Sequence, residues 1–375
     1  MTEKIFYREP ERVTLLSEVI EIRTGKKGTG LAFLETIFSP QGGGQPADRG
    51  IITGDDWVLK VNEVEEEEGT IWHWGTLAGE IPSRGSKATM HLDSRWRKEV
   101  CEQHTAQHLF SAVLEKEYGL PTTGFAILPA WTKIEVPSTP PLTSSLLQEA
   151  EEKTRHYIAQ RIPLHIFWET EEKRIVEIPG LDTNPCGGLH LPDTGYIGSF
   201  AVLRSYRKNR DFWRIEFVAG QRVTSYLQRA VQQLDRLQSL LGTQDPVTGV
   251  ENFFVKMKNA EREIKRLAEE LTQAKASLLI QEAQDTPWGK VVIWYASCEI
   301  HELRLLAKAL AKDHVSSLLG NEKNQVVFAS SSPAWGEKIL TLLQTHGFKG
   351  TVHPSFGEGQ VKDVPSFFLL VKKEL

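Results

Sequence analysis

Two short segments carry side chains that could share a metal ion. His104-Thr105-Ala106-Gln107-His108 places two imidazoles four residues apart. On a helix that spacing puts them one turn apart on the same face. Taken alone, such a pair is more often structural than ligating. Cys186-Gly187-Gly188-Leu189-His190 adds a thiol and a third imidazole, and its two glycines let the backbone turn sharply enough for both to face one site. Taken alone, Cys186 reads as a buried thiol and His190 as a loop histidine. Together, His104, His108, Cys186 and His190 form a three-nitrogen, one-sulfur set, an ordinary tetrahedral environment for zinc. The expectation is one Zn²⁺ per chain. No Glu follows the first histidine as in the HExxH proteases, which disfavours a protease. Cys101, three residues before His104, is a weaker rival ligand better suited to packing, and Cys298 has no comparable neighbourhood.

A third segment is Pro40-Gln41-Gly42-Gly43-Gly44-Gln45-Pro46, followed by Ala47-Asp48-Arg49-Gly50. Three consecutive glycines do not stabilise a strand; they suit a plain hairpin turn or a loop whose N–H groups approach a ligand closely. No Lys-Ser/Thr follows, so it is not a P-loop. Gln41 and Gln45 favour the recognition loop.

These segments need elements to position them. Residues 1–92 read as a small β-barrel, with strand-like stretches at 13–22, 30–38, 57–64 and 70–74 separated by Gly, Pro and Asp. Glu65–Glu68 reads as a solvated turn. Residues 93–220 read as an α+β domain. One helix is capped by Asp93 or Ser94, carries Val100, Leu109, Phe110, Val113 and Leu114 on its apolar face, and ends at Gly119-Leu120-Pro121. Strands at 125–128 and 133–136, a helix after Thr143, and strands at 164–168, 198–204 and 212–218 follow. In residues 221–284, Leu227, Leu234 and Leu241, then Met257, Ile264, Leu271 and Leu278, recur every seven positions, which predicts an antiparallel helical hairpin broken near Asp245-Pro246. Residues 285–375 read as α/β, with strands at 291–295, 325–329 and 367–371 and helices at 303–311 and 339–343. The expected class is multidomain α+β.

Composition bounds the rest. The chain has 375 residues, a formal charge of −5 and three widely spaced cysteines, so it is neither a globally basic nucleic-acid binder nor a disulfide framework. A local basic patch is still compatible with binding a few phosphates. No apolar run is long enough to span a membrane and the start lacks the pattern of a signal peptide, so a cytoplasmic protein with no membrane partner is expected.

The segments FSPQGGGQPADRG (38–50), HTAQHLFSAVLE (104–115), NPCGGLHLPDTGYIGSFAVL (184–203) and WRIEFVAG (213–220) resemble the alanyl-tRNA editing proteins of the AlaX type and the editing region of alanyl-tRNA synthetase. The hairpin and tail look like the coiled coil and DHH-associated domain at the end of the synthetase, which makes the chain similar to the long form. The resemblance implies a free-standing deacylase of Ser-tRNA(Ala), and of Gly-tRNA(Ala), with zinc on His104, His108, Cys186 and His190. It also implies that the loop Gln41, Gly42, Gly43, Gly44 and Gln45 meets the acceptor end of tRNA(Ala). The chain departs from the family pattern at Leu189, where Thr is common, at Ala126, where His is common, and at Gly357-Glu358-Gly359, where a longer glycine string is expected. No class II aminoacylation domain fits before residue 90.

Four protein ligands close a tetrahedron, and closed sites are usually structural. The zinc is therefore expected to organise the pocket, with the Gly187 and Gly188 amides near the ester; no catalytic side chain is assigned beyond a zinc-positioned water. Selection of serine calls for a polar group that meets its hydroxyl. Thr122, Thr123 and Gln107 are the candidates, Thr123 slightly favoured. A deacylase for another mischarged aminoacyl-tRNA and a non-enzymatic tRNA-binding protein with structural zinc are the other readings. Lys256, Lys258, Arg262, Lys265 and Arg266 could meet the tRNA body, and the heptad seam or the tail could form a homodimer.

Overall fold

Alternating burial closes the N-terminal strands into a barrel. The computed structural model describes residues 1–374. The first elements are β1 (Glu3–Lys4), α1 (Ile5–Arg8), β2 (Thr14–Gly25), β3 (Gly28–Phe33), β4 (Glu35–Thr36), β5 (Gly50–Thr53), β6 (Trp57–Glu67), β7 (Thr70–Gly79) and β8 (Lys87–Leu92). The closed order is β2-β3-β7-β6-β5-β8, while β1 pairs in parallel with β4. Along β2, Leu15, Ser17 and Val19 face inward while Thr14, Leu16 and Glu18 face out, the two-residue period of a strand with one buried face. The short β5 and β8, not anticipated from the sequence, close the barrel. Glu65–Glu68 is a correction: Glu65, Glu66 and Glu67 end β6, and Lys27, Lys4 and Arg23 pair with them. Only Glu68 and Gly69, both at positive φ, make the turn.

The long helix α2 (Ser94–Tyr118) follows. The Asp93 carboxylate accepts the Trp96 amide at 3.0 Å, and Gly119 ends the helix at φ 65°, a left-handed conformation suited to glycine. Arg97 in its first turn forms a buried two-pronged pair with Asp48, Nε to Oδ1 at 2.8 Å and Nη2 to Oδ2 at 2.5 Å. Asp48 also accepts the Ser39 amide at 2.6 Å, so one ion pair fixes the base of the glycine-rich loop against α2. Removing one partner of a buried pair costs about 3–5 kcal/mol, because a charge is left unmatched.

Helix α2 packs on the sheet β14-β15-β10-β9, formed by β9 (Gly124–Ile127), β10 (Thr132–Pro137), β14 (Phe200–Arg207) and β15 (Phe212–Ala219). Its inner face, with Ile134, Ile215 and Phe217, joins Leu109, Phe110 and Val113 in one core. Helix α3 (Ser144–Ala159) starts where Thr143 accepts the Leu146 amide. A second antiparallel sheet comprises β11 (His165–Trp168), β12 (Arg174–Ile178) and β13 (Asp182–Pro185). Of these, only β11 was anticipated.

Helices α4 (Gln221–Leu241) and α5 (Pro246–Gln281) flank a break, and Asp245 caps α5 through the Val247 amide. The heptad residues Leu227, Leu234, Ile264, Leu271 and Leu278 are exposed. Contacts divide the chain into two compact units, Met1–Asp235 and Arg236–Leu375.

The second unit carries a sheet of order β16-β17-β18-β19-β21-β20, with β16 (Gln284–Thr286), β17 (Gly289–Ala296), β18 (Ser316–Asn321), β19 (Gln325–Ala329), β20 (Lys349–His353) and β21 (Phe356–Gln360). Its helices are α6 (Ile300–Lys312), α7 (Pro333–Thr345) and α8 (Val364–Glu374). Only β17 and β18, joined across α6, are parallel; the other pairs are antiparallel. The strand expected at 367–371 is corrected to helix α8. Val364, Phe367, Phe368 and Val371 are its buried residues, and that spacing is one helical face. Gly357 and Gly359 lie in β21, where a Cβ would strike the Phe328 ring and the β20 backbone. Among the described residues no helix is long and apolar enough to cross a membrane.

Candidate metal centre and its cavity

Helix α2 buries Gln103, His104, Thr105, Gln107 and His108 together. A run of polar side chains inside a core must find partners, and each has one: Gln103 bonds the Ala219 backbone, Gln107 bonds Ser111, and His104, Thr105 and His108 meet Gln45, the Leu191 amide and Asp182. His104 and His108 lie one turn apart, ring centroids 5.2 Å from each other, and His190 lies 4.3 and 4.8 Å from them. One ligand atom from each of His104, His108, Cys186 and His190 lies within 4.8 Å of all the others. Cys186 Sγ is 3.5 Å from His104 Nε2 and 3.2 Å from His190 Nε2. A tetrahedral zinc with Zn–N near 2.0–2.1 Å and Zn–S near 2.3 Å has N···S edges of about 3.5 Å. The four residues can thus hold a metal ion, and their donor set fits zinc.

The remaining ring nitrogens are each engaged. His104 Nδ1 lies 2.6 Å from Gln45 Oε1, which also accepts the Leu189 amide at 3.1 Å. Two N–H groups on one amide oxygen fix both the amide orientation and the tautomer, so His104 Nε2 keeps its lone pair for the cluster. His108 Nδ1 lies 2.9 Å from Asp182 Oδ2, and Thr105 Oγ1 approaches His190 Nδ1 at 3.4 Å. This is how imidazoles are oriented around metals in general.

The electrostatics agree. Burial opposes the Cys186 thiolate, but hydrogen bonds from His104, His108 and His190 outweigh it and pull the thiol far below its ordinary value. Burial lowers His104 and His190. Burial also works against charge on His108, yet Asp182 and Cys186 raise it to about 9. Cys101, by contrast, is pushed up to about 12 by burial, a packing thiol.

Gly188 is held where a Cβ would lie 2.2 Å from His104 Cε1, so only glycine lets this backbone pass the imidazole. Arg174 Nη1 donates to the Cys186 and Gly188 carbonyls, at 3.0 and 2.5 Å, and the Tyr7 hydroxyl donates to the Gly187 carbonyl at 2.8 Å. These four carriers of the site (Arg174, Tyr7, Asp182 and Thr105) went unassigned in the sequence reading. Only Thr105, inside the HTAQH segment, lay in a motif that marked it.

A cavity of about 540 Å³ opens over the cluster, large enough for a small ligand. Gln41, Gly42, Gly43 and Gln45 line it, together with Gly187 and Gly188. The loop is a tight turn: Gly42 and Gln45 exchange backbone hydrogen bonds, and Gly43 and Gly44 take φ 52° and 85°. Gly44 does not line the cavity; its carbonyl accepts the Ile127 amide, and a Cβ there would press on Phe125. Gln45 is buried against His104 rather than free to reach outward.

Of the candidates for serine selection, Gln107 and Thr122 line the cavity and Thr123 does not. Thr123 is exposed and donates to the Glu135 carbonyl. Ser111, unassigned from the sequence, links the other two: Gln107 Nε2 donates to its hydroxyl at 3.0 Å, and Thr122 Oγ1 lies 2.6 Å away. Leu189 is buried in the core, and Ala126 shares a sheet face with Lys133, opposite to that of Phe125. Neither Leu189 nor Ala126 lines the cavity.

The model of the threonyl and alanyl tRNA synthetase second additional domain matches residues 174–216. The chain is 30% identical to the alanyl-tRNA editing protein AlaX-L of Pyrococcus horikoshii, over 97% of this chain and 96% of the relative. It is 28% identical to the alanine–tRNA ligase of Methanothermobacter thermautotrophicus and 25% identical to that of Natronomonas pharaonis, over 89% and 97% of this chain. It spans only 39% and 42% of those ligases.

Proposed function

Because this chain belongs to the family of AlaX-type alanyl-tRNA editing proteins, we propose that it hydrolyses the ester of serine mischarged to tRNA(Ala), with Gly-tRNA(Ala) as a second substrate. It is an aminoacyl-tRNA hydrolase whose cavity receives the acceptor end. The observation that carries this reading is the convergence of His104, His108, Cys186 and His190, the first three of which line a cavity walled by the glycine-rich loop. Their assignment as ligands of one zinc ion is part of the proposal.

A bound Zn²⁺ supplies a Lewis-acidic centre that polarises a carbonyl or acidifies water. The chain's own residues do the rest. Gln45, Asp182 and Thr105 hold the three imidazoles in one tautomer and orientation. Tyr7 and Arg174 tie down the Gly187 and Gly188 carbonyls, which holds this strand of backbone rigid beside the ester. Four ligands fill a tetrahedron, so organising the pocket is the metal's main contribution. Gln107, Ser111 and Thr122 offer a hydroxyl-bearing substrate a ready hydrogen-bonding wall; alanine would leave that wall unpaired. The exposed Gln41, Gly42 and Gly43 stand at the mouth, where the terminal nucleotide would enter.

Deacylation of Ser-, Gly- and Ala-tRNA(Ala), with one unrelated mischarged tRNA in parallel, tests the reading. Loss of the seryl ester, slower loss of the glycyl ester and sparing of Ala-tRNA(Ala) are expected. Hydrolysis of the unrelated tRNA alone would transfer the activity to another aminoacyl-tRNA.

A further inference from the structure

The chain is acidic overall, yet the segment from Arg204 to Arg214 carries five basic side chains against one acidic residue, Asp211. The fold gathers them on one sheet. Across β9, β10, β15 and β14, Gly124, Glu135, Arg214 and Tyr206 stand in register, and beside them Ala126, Lys133, Glu216 and Arg204. Residues directly opposite in an antiparallel sheet share a face, and this face is the one turned away from the α2 core.

Its carboxylates lie beneath its cations. Glu216, 3% exposed, accepts from Arg204 Nε at 2.6 Å and from the Tyr206 hydroxyl at 3.0 Å. Glu135 accepts from Lys208 Nζ at 2.6 Å and Arg214 Nη2 at 2.7 Å. The guanidinium of Arg204 sits over both Trp131 and Tyr206. At the tip of the β14–β15 hairpin, Arg207, which stands opposite Trp213 on the other face of the strand pair, and Arg210, in the turn itself, are exposed and have no ion-pair partner among the described residues. The tip is held in place, because Ser138 at the end of β10 bonds the Arg210 and Asp211 carbonyls.

This face runs to the mouth of the cavity. Thr122 and Gly124 line the cavity. The next residue, Thr123, bonds the backbone of Glu135, and Glu135 bonds Lys208 and Arg214. A chain of direct contacts thus leads from the cavity rim to the cations. Exposed arginines and lysines interleaved with aromatic rings are the chemistry that recognises a nucleic-acid backbone.

We propose that the outer face of the β14-β15-β10-β9 sheet and its hairpin tip form a track for the phosphates of the acceptor stem while the aminoacylated end occupies the cavity. The inference rests on the reading of the cavity as an aminoacyl-tRNA hydrolase site, and the following experiment separates the two. The paired variant Arg207→Glu/Arg210→Glu changes two solvent-facing side chains, and its unfolding midpoint should match the wild type. It is compared on full-length Ser-tRNA(Ala) and on a seryl ester of the trinucleotide CCA, which carries the reacting end but lacks the acceptor-stem duplex. Expected are a fall of about tenfold or more in kcat/KM on the tRNA, no change on the trinucleotide ester, and recovery in Arg207→Lys/Arg210→Lys. The salt dependence of tRNA binding should shallow by about two in log–log slope, one per lost phosphate contact. Unchanged kcat/KM on the full tRNA, or equal losses on both substrates, would overturn the track. Should wild-type protein hydrolyse neither substrate, the hydrolase reading fails while direct binding of uncharged tRNA(Ala) still decides the track: weakened binding by the Glu pair supports it, and equal binding overturns it.

Discussion

Gln45 Oε1 lies 2.6 Å from His104 Nδ1, and this contact joins the barrel's glycine-rich loop to the candidate metal centre. The loop is expected to meet the acceptor end; its last glutamine turns inward, while Gln41, Gly42 and Gly43 line the cavity. The loop thus has two jobs on one short turn, made possible by the positive φ of Gly43 and Gly44. Its position depends on Asp48 and Arg97 beneath it.

Gln45→Leu should weaken zinc binding by about 10–100-fold, the usual cost of losing an orienting partner of a ligating histidine. Gln45→Glu keeps an oxygen acceptor for both His104 and Leu189 and should retain affinity. Competition with a chelator of known affinity measures both. Equal affinities in the Leu and Glu variants would refute the orienting role.

Asp182→Asn tests the same principle at His108. The amide can present its nitrogen to His108 Nδ1 and loses the charge of the carboxylate now 2.9 Å away, so metal affinity should fall about tenfold or more. Retention of full affinity in Asp182→Asn would remove Asp182 from the site.

The hydroxyl wall predicts a specificity change. Thr122→Val removes the hydroxyl bonded to Ser111 and should lower kcat/KM for Ser-tRNA(Ala) by about tenfold or more, with a smaller effect on Gly-tRNA(Ala). Thr123→Val, outside the cavity, should leave the Ser/Gly ratio unchanged. The opposite pattern would restore Thr123 as the selecting residue.

Much of this site was legible in the residues and some was not. The four clustered side chains could be named because a helix repeats its faces every three to four residues and because paired glycines announce a sharp turn. Asp182, Arg174 and Tyr7 could not, since they reach the site from separate strands and a short N-terminal helix, with no spacing to mark them. The barrel's long strands alternate plainly, whereas β5 has only four residues; β8 does alternate, with Ala88, Met90 and Leu92 buried, and its signal was passed over. The aromatic run at 367–371 imitated a strand, and only the inclusion of Val364 reveals its helical face.

His73 gives the barrel an acid limit. It is fully buried, bonded to the Leu31 carbonyl at 3.0 Å and to Thr36 Oγ1 at 2.7 Å, and burial lowers it to about 4 from 6.5. Below pH 6.5 the unfolded chain takes up a proton that the native barrel refuses until about pH 4. Stability is therefore complete above pH 6.5 and should fall by about 3 kcal/mol on the way down to pH 4. Urea midpoints followed by tryptophan fluorescence across that range measure it. His73→Gln should flatten the slope, and an identical slope in that variant would assign the acid loss to other groups.

The central claim is that His104, His108, Cys186 and His190 hold the zinc on which editing depends. It is tested most directly by measuring zinc content and Ser-tRNA(Ala) deacylation together in wild-type and Cys186→Ala protein. One zinc per wild-type chain is expected, with its loss in the variant and a fall in deacylation of about 10² or more. A zinc-free variant that deacylates Ser-tRNA(Ala) at the wild-type rate would contradict the account.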